Sequence, residues 1–280
     1  MQLLRAHGLG NDYLVLESGE SIDPVLVRAL CDRHRGPGGD GVLEPVATDQ
    51  ADFGVRIWNP DGSIAEKSGN GLRIFARWLH DRGAPRTFTV STGPCVVGCE
   101  IVDARDVSVQ MGTASLEVSA TGARRRLVDD LVNLGEEDVR VTAISVGNPH
   151  CVVFVEDEPE SLPWKRWGRA LERHPLFPGR SNVQVARFSA GVISLVIWER
   201  GAGPTLASGS SATAVPAAAV ATRRLPPGRV EARMPGGTLT VDVDADLGCT
   251  LLGPVDVIGR FELDRRWLDM VSDDPRPLRG

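Results

Sequence analysis

No hydrophobic run in this 280-residue chain approaches the ~18 residues that a membrane-spanning helix requires. The opening, MQLLRAHGLGND, lacks the charged-then-apolar pattern of a secretory leader, so a cytoplasmic location is expected. Cysteine is sparse and odd in number. Cys31, Cys95, Cys99, Cys151 and Cys249 are scattered, which suits reduced packing thiols better than a disulfide framework. Cys95 and Cys99 have no second pair to complete a zinc site, and the histidines at 7, 34, 80, 150 and 174 are dispersed, so no metal is expected. The Gly-rich loop at 35–41 lacks the Gly-Lys-Ser/Thr ending of a phosphate loop, and no dinucleotide fingerprint occurs, so no cofactor is expected either. A net charge of −6 gives no electrostatic case for nucleic acid or an anionic membrane as partner. The hydrophobic fraction of 42% and charged fraction of 24% are those of a soluble globular protein with ample core.

What the chain does contain is a repeat. Ile57-Trp58 is followed, ten residues after the Trp, by Ser68-Gly69 and a helical run over 72–79. Ile197-Trp198 is followed at the same spacing by Ser208-Gly209 and a run of small residues that also reads as a helix, with Pro216 inside it as an expected kink. In both copies an apolar strand leads through a polar, Gly-containing loop to Ser-Gly at a helix mouth. The copies lie half a chain apart, as a duplicated domain requires. Another helix is predicted over 23–33, with Asp23 as N-cap and Pro24 in its first turn. Short strands dominate the rest of each half. The fold class is therefore α+β with two pseudo-symmetric domains. Their expected bounds are 1–115, with 262–280 as a candidate completion, and 116–261; the stretch 113–126 lacks periodicity and marks the connection.

A helix N-terminus presents unpaired N–H groups and about half a positive charge, so it attracts carboxylates. Two equivalent mouths directed at one ligand could hold its carboxylate with one residue on each side of the α-carbon. That arrangement suits stereoinversion, one group removing a proton and its counterpart returning another to the opposite face. Ser68 and Ser208 read equally well as ordinary helix caps, because serine is a preferred N-cap residue.

The motifs themselves carry a resemblance that spans nearly the whole chain. The loop at 7–12 (HGLGND), the block Asn59-Pro60-Asp61-Gly62-Ser63 leading to Ser68-Gly69-Asn70-Gly71, the motif Gly147-Asn148-Pro149-His150-Cys151, Asn182, and the block from Glu199-Arg200-Gly201 to Ser208-Gly209 occur in the order of the diaminopimelate epimerase family. The chain resembles that family, whose members invert amino acids without pyridoxal phosphate. The resemblance implies two strongly curved, mainly antiparallel sheets, each around a central helix, with a ligand cleft between them. It also implies that Asn11, Asn59, Gly69, Asn70, Asn148, Asn182, Arg200, Gly209 and Ser210 bind a diaminopimelate-related amino acid. Glu199 falls on another position where the family contacts substrate. In that scheme Asn59, Asn148, Asn182 and Arg200 grip the distal head, and the amides around Gly69 and Gly209 hold the reacting carboxylate. An Arg fork suits a carboxylate bidentately.

The departures lie at the centre of the motifs. Both positions that are Cys in the family are Ser here, and a hydroxyl is a far weaker acid than a thiol and ordinarily needs a dedicated base. His150 and Glu199 are the candidates to activate Ser68 or Ser208. Pro204 stands where the family usually has Glu, and Ser210-Ser211 replaces a small-residue-Gly pair. The active centre has changed its chemistry, lost it, or been edited. Three readings follow: an epimerase-like isomerase with weakened or altered proton transfer; a thiol-less enzyme of specialised metabolism catalysing dehydration, rearrangement or cyclisation; and a non-catalytic amino-acid-binding protein. A homodimer is left open.

Overall fold

The computed structural model describes residues 1–19 and 21–273. The chain forms two compact units: residues 1–109 joined by the segment that starts at 253, and residues 110–252.

In the first unit, β1 (Gln2–Gly8) and β2 (Asn11–Leu16) form an antiparallel hairpin. Its two loop residues, Leu9 and Gly10, both have positive φ, 54° and 87°. That is the backbone of a type I′ turn, whose twist matches that of paired strands. A parallel partner must be reached by a crossover, and α1 (Pro24–Cys31) supplies it, carrying the chain to β3 (Val42–Val46) alongside β2. Asp23 caps α1 by accepting the Leu26 N–H at 2.8 Å. β4 (Phe53–Trp58) returns antiparallel to β3; its end pairs with the short β5 (Ile64–Ala65) and its start with β6 (Thr87–Ser91) in parallel. Between them runs α2 (Gly69–His80), buried at every residue but the last. β7 (Val96–Ile101) and β8 (Asp106–Thr113) continue the meander.

The second unit repeats this ladder strand for strand. After the short helix α3 (Val118–Thr121) and β9 (Asp130–Asn133) come β10 (Asp138–Ser145), β11 (Pro149–Phe154), α4 (Trp164–Glu172), β12 (Asn182–Ser189), β13 (Val192–Glu199) and β14 (Gly203–Thr205). Then follow α5 (Gly209–Ala221), β15 (Gly228–Met234), β16 (Gly237–Val243) and β17 (Gly248–Pro254). The β10–β11 pair is antiparallel, β11–β12 parallel, β12–β13 and β13–β14 antiparallel, and β13–β15 parallel, as in the first unit. The helix continues through Pro216, whose missing N–H removes one rung of its ladder. Among the described residues, no helix is long and apolar enough to cross a membrane.

The two units differ from the expected bounds at both borders: residues 110–115 fall in the second unit and residues 253–261 in the first. β18 (Asp256–Glu262) pairs with β1, from Gln2 opposite Glu262 to His7 opposite Asp256. An uncovered β1 would leave a row of backbone donors and acceptors without partners. In the second unit β9 covers the same edge of β10. Of the expected completion 262–280, residues 265–273 form α6 (Arg265–Asp273) and residues 274–280 lie outside the described residues.

Candidate active site

The two ladders fix which residues of the halves correspond. Val42 faces Trp58 across β3–β4, as Val183 faces Trp198 across β12–β13. Leu14 pairs with Val42, as Cys151 pairs with Val183. Tyr13 and His150 are therefore equivalent, as are Leu43 and Gln184, Asn11 and Asn148, Ser68 and Ser208, and Gly71 and Ser211. The repeat extends to the site, but the side chains in it differ.

In the first unit Ser68 is the N-cap of α2, in extended backbone with φ −141° and ψ 116°. Its hydroxyl accepts the Gly71 N–H at 3.0 Å and shares a second hydrogen bond of 3.0 Å with the Tyr13 hydroxyl. Gly71 has little room for anything larger: a Cβ there would lie 3.2 Å from Ser68 Oγ and 3.1 Å from Leu43 Cδ2. Asn70, one turn residue further, donates to Asn11 Oδ1 at 2.9 Å, and Asn11 donates in turn to Asp40 Oδ2 at 2.8 Å. Arg73 is fully buried on the same helix, bonded to Asn70 Oδ1 at 2.6 Å and to the Gly69 carbonyl at 3.2 Å. Its Nε has no partner. Burial lowers its pKa to about 10, partly offset by Asp106, so it stays a cation at neutral pH beneath the first turn of α2. Gly8 accommodates it, since a Cβ there would lie 2.7 Å from Arg73 Nη2.

A charge cluster braces the loop that carries Asn11. Asp12 accepts from Arg5 and Arg33, and Asp40 accepts from Arg33 and the Asp12 N–H. Burial would raise the Asp12 carboxyl, but the hydrogen bonds and charges of Arg33 and Arg5 hold it below its ordinary value. Asn59 sits in the turn after β4, where its amide donates to Ser63 Oγ at 2.9 Å.

In the second unit Ser208 caps α5 in the same conformation, φ −150° and ψ 124°. Its contacts are looser: the Ser211 N–H at 3.5 Å and Ser210 Oγ at 3.4 Å. Where the first unit has Gly71 against Leu43, here the Ser211 hydroxyl accepts from Gln184 Nε2 at 2.9 Å, both residues fully buried. Asn182 donates to the Pro149 carbonyl at 3.0 Å and accepts the Arg200 N–H at 3.0 Å. The exposed Arg200 guanidinium reaches the Gly179 carbonyl at 3.4 Å. Glu199 ends β13, paired with Gly203.

His150, a candidate to activate Ser68 or Ser208, lies at the start of β11. It is fully buried, and its Nε2 lies 2.9 Å from Asn148 Oδ1. Burial pushes its pKa down to about 3; Gln184 opposes that slightly and Arg200 reinforces it. Its Nδ1 and the Gln184 Oε1 are buried without a partner of normal hydrogen-bond geometry, although Gln184 is near enough to favour the imidazolium somewhat. A ring so hard to protonate is a weak general base, and it has no hydrogen bond to Ser208.

Sequence reasoning passed over Tyr13, Arg73, Gln184 and Glu172. Glu172 accepts Trp198 Nε1 and the Gly201 N–H, each at 2.9 Å, and so anchors the loop bearing Glu199 and Arg200. Burial alone would raise its carboxyl, but these bonds, with Arg173 and Arg180, bring it below its ordinary value. The equivalent tryptophan of the first unit, Trp58, donates to Glu44 at 2.8 Å. The equal Trp-to-Ser spacing was the available signal; the acidic partner comes from a different part of each ladder. Neither helix cap is a thiol. Cys31, Cys99, Cys151 and Cys249 are buried and Cys95 half-buried, and burial raises Cys31 and Cys99 to about 12. Among the described residues no group of three or more His, Cys, Asp or Glu is arranged to hold a metal ion.

The duplicated α+β unit, with Ser-Gly at a helix mouth in each copy, has the fold of several solved structures. A probable proline racemase from Agrobacterium radiobacter K84 superposes with a TM-score of 0.71 at 16% identity, over 94% of this chain and 93% of its own. A Bacillus anthracis protein of the PhzF phenazine biosynthesis family shares the fold at TM-score 0.65 and 14% identity, over 94% and 99%. The diaminopimelate epimerase family model matches residues 3–117 and 142–258, one match in each half. Diaminopimelate epimerase 2 of Nostoc sp. is 38% identical over 275 residues, covering 94% of this chain and 95% of its own. The Methanothermobacter thermautotrophicus diaminopimelate epimerase is 40% identical over 260 residues, covering 86% and 90%. The chain belongs to the diaminopimelate epimerase family, a family of isomerases.

Proposed function

We propose that this protein acts at the α-carbon of diaminopimelate or a closely related amino acid, with Ser68 and Ser208 on opposite sides of that carbon. The observation that carries this reading is the equivalent position of the two serine-capped helix mouths in the repeated ladders, within a family whose curated relatives are diaminopimelate epimerases. The first-turn amides of α2 and α5 have no intrahelical acceptor, so they are suited to the reacting carboxylate. Asn11, Asn70, Asn182 and Arg200 are further polar groups assigned to the ligand, and Asp40 bonds Asn11, Arg73 bonds Asn70, and Glu172 holds the loop that carries Arg200. The distal amino-acid head is assigned to Asn59, Asn148, Asn182 and Arg200, the last as the carboxylate fork.

Proton transfer is the altered step. A serine hydroxyl both removes and delivers protons less readily than a thiol, so turnover is slow relative to a cysteine pair. No cofactor enters the scheme. The test is proton NMR of LL- and meso-diaminopimelate in D2O with the protein, alongside calorimetric binding. Loss of the α-proton signal with interconversion of the two isomers is the expected result. Absence of binding for diaminopimelate and for other α-amino acids refutes the reading.

A further inference from the structure

We infer that Tyr13 is a positioning residue that relays protons to and from Ser68, which makes the Ser68 side of the site the reactive one. This rests on the reading of Ser68 as an α-carbon proton-transfer group. The chain has a single tyrosine. It lies on β2, 7% exposed, with its hydroxyl 3.0 Å from Ser68 Oγ. Its ring is confined by Gly41, where a Cβ would approach it to 2.6 Å and the Trp58 carbonyl to 2.4 Å. The equivalent position in the second unit is His150, which bonds Asn148, while Ser208 has only Ser210 Oγ and the Ser211 N–H. Among the described residues, Ser68 is hydrogen-bonded to a group that titrates and Ser208 is not.

The chemistry follows from the acids involved. A phenol titrates near ~10, far below an aliphatic hydroxyl. In the forward step the substrate Cα–H bond breaks and its electron pair stays on carbon. The proton forms a new O–H bond at Ser68 while the former Ser68 proton passes to the Tyr13 phenolate. In the opposite direction, when the other isomer has lost its proton from the Ser208 side, Ser68 gives its proton to carbon and takes the Tyr13 phenol proton. No oxidant or further reactant is needed. The charged and titratable groups on the surrounding elements include Arg5 and His7 on β1, Asp12 on β2, Arg33 and Asp40 in the loop after α1, Glu44 on β3, Arg56 on β4, Lys67 next to Ser68, and Arg73 and Arg77 on α2. Asp12 alternates to the strand face opposite Tyr13 and is held by Arg5 and Arg33, and Glu44 is held by Trp58 and Arg56. Arg73, bonded to the Gly69 carbonyl, and the positive end of α2 favour negative charge developing at the pair.

Because Tyr13 is the only tyrosine, biosynthetic replacement of tyrosine by a fluorotyrosine alters this position alone and leaves its shape nearly unchanged. The experiment measures α-proton exchange of diaminopimelate in D2O against pH for the natural protein, the fluorotyrosine protein and Tyr13→Phe, with calorimetric binding for each. In the natural protein exchange rises about tenfold per pH unit below the phenol's titration. The more acidic fluorophenol moves that limb to lower pH, and Tyr13→Phe lowers exchange at least about 100-fold while binding stays within about threefold. An unmoved limb, or undiminished exchange in a folded Tyr13→Phe, overturns the relay. Binding without exchange in the natural protein also overturns it, whereas absence of binding refutes the assignment of the site itself.

Discussion

Replacing both serines by cysteine, Ser68→Cys with Ser208→Cys, tests whether the helix mouths hold a proton-transfer pair. A thiol titrates near ~8.5 and a hydroxyl close to the ~15.7 of water, a gap of about seven units. If about half of that difference is expressed in the transition state, α-proton exchange should accelerate about 10^3- to 10^4-fold. The structure also sets the cost in stability, and it differs between the halves. Ser68 accepts the Gly71 N–H at 3.0 Å, so losing that cap costs about 1 kcal/mol; the 3.5 Å contact of Ser208 contributes well under that. Each thiol must also fit, and the equivalents of Gly71 and Ser211 leave different room for it. A fall of a few degrees in Tm is expected, with the protein still folded. Exchange is followed by proton NMR in D2O, and binding by calorimetry. A folded double variant that binds diaminopimelate as tightly as the natural protein but exchanges its α-proton no faster would refute the argument.

Ser68→Ala should destabilise the protein more than Ser208→Ala, by about 1 kcal/mol in urea unfolding, because it loses a shorter cap and the Tyr13 bond; equal losses would contradict the geometry. His150 has a folded-state pKa lowered from 6.5 to about 3, so the unfolded chain binds the extra proton as pH falls below 6.5. Its contribution is present above that value and lost toward about 3, at roughly 1.4 kcal/mol per pH unit. His150→Gln should therefore flatten the dependence of Tm on pH between 6.5 and 5, and an unchanged slope would place the titration elsewhere. Gly41→Ala sets a Cβ against the Trp58 carbonyl and the Tyr13 ring; it should cost about 1–3 kcal/mol and weaken the Tyr13–Ser68 contact, readable by thermal melting and by α-proton exchange.

The duplication, the two serine-capped mouths and the motif order were legible in the amino-acid sequence. These are local signals: a strand ending, a turn rich in Gly and Asn, a cap residue and an apolar run, each set by backbone preferences within a few residues. The capping of α1 by Asp23 was legible for the same reason. The assignment of β18 to the first unit was not, because strand pairing between residues at opposite ends of the chain has no local signature. Nor could spacing reveal that Tyr13, 55 residues from Ser68, would share a hydrogen bond with it, or that its counterpart His150 would be sealed in and hard to protonate. Two mouths that look alike in sequence were made unequal by what the sheet brings beneath each one: a glycine and a phenol under Ser68, a serine and a glutamine beside Ser208. Caps form within one turn of chain, but the acidity of the groups around them depends on burial and on partners that only the completed ladders supply.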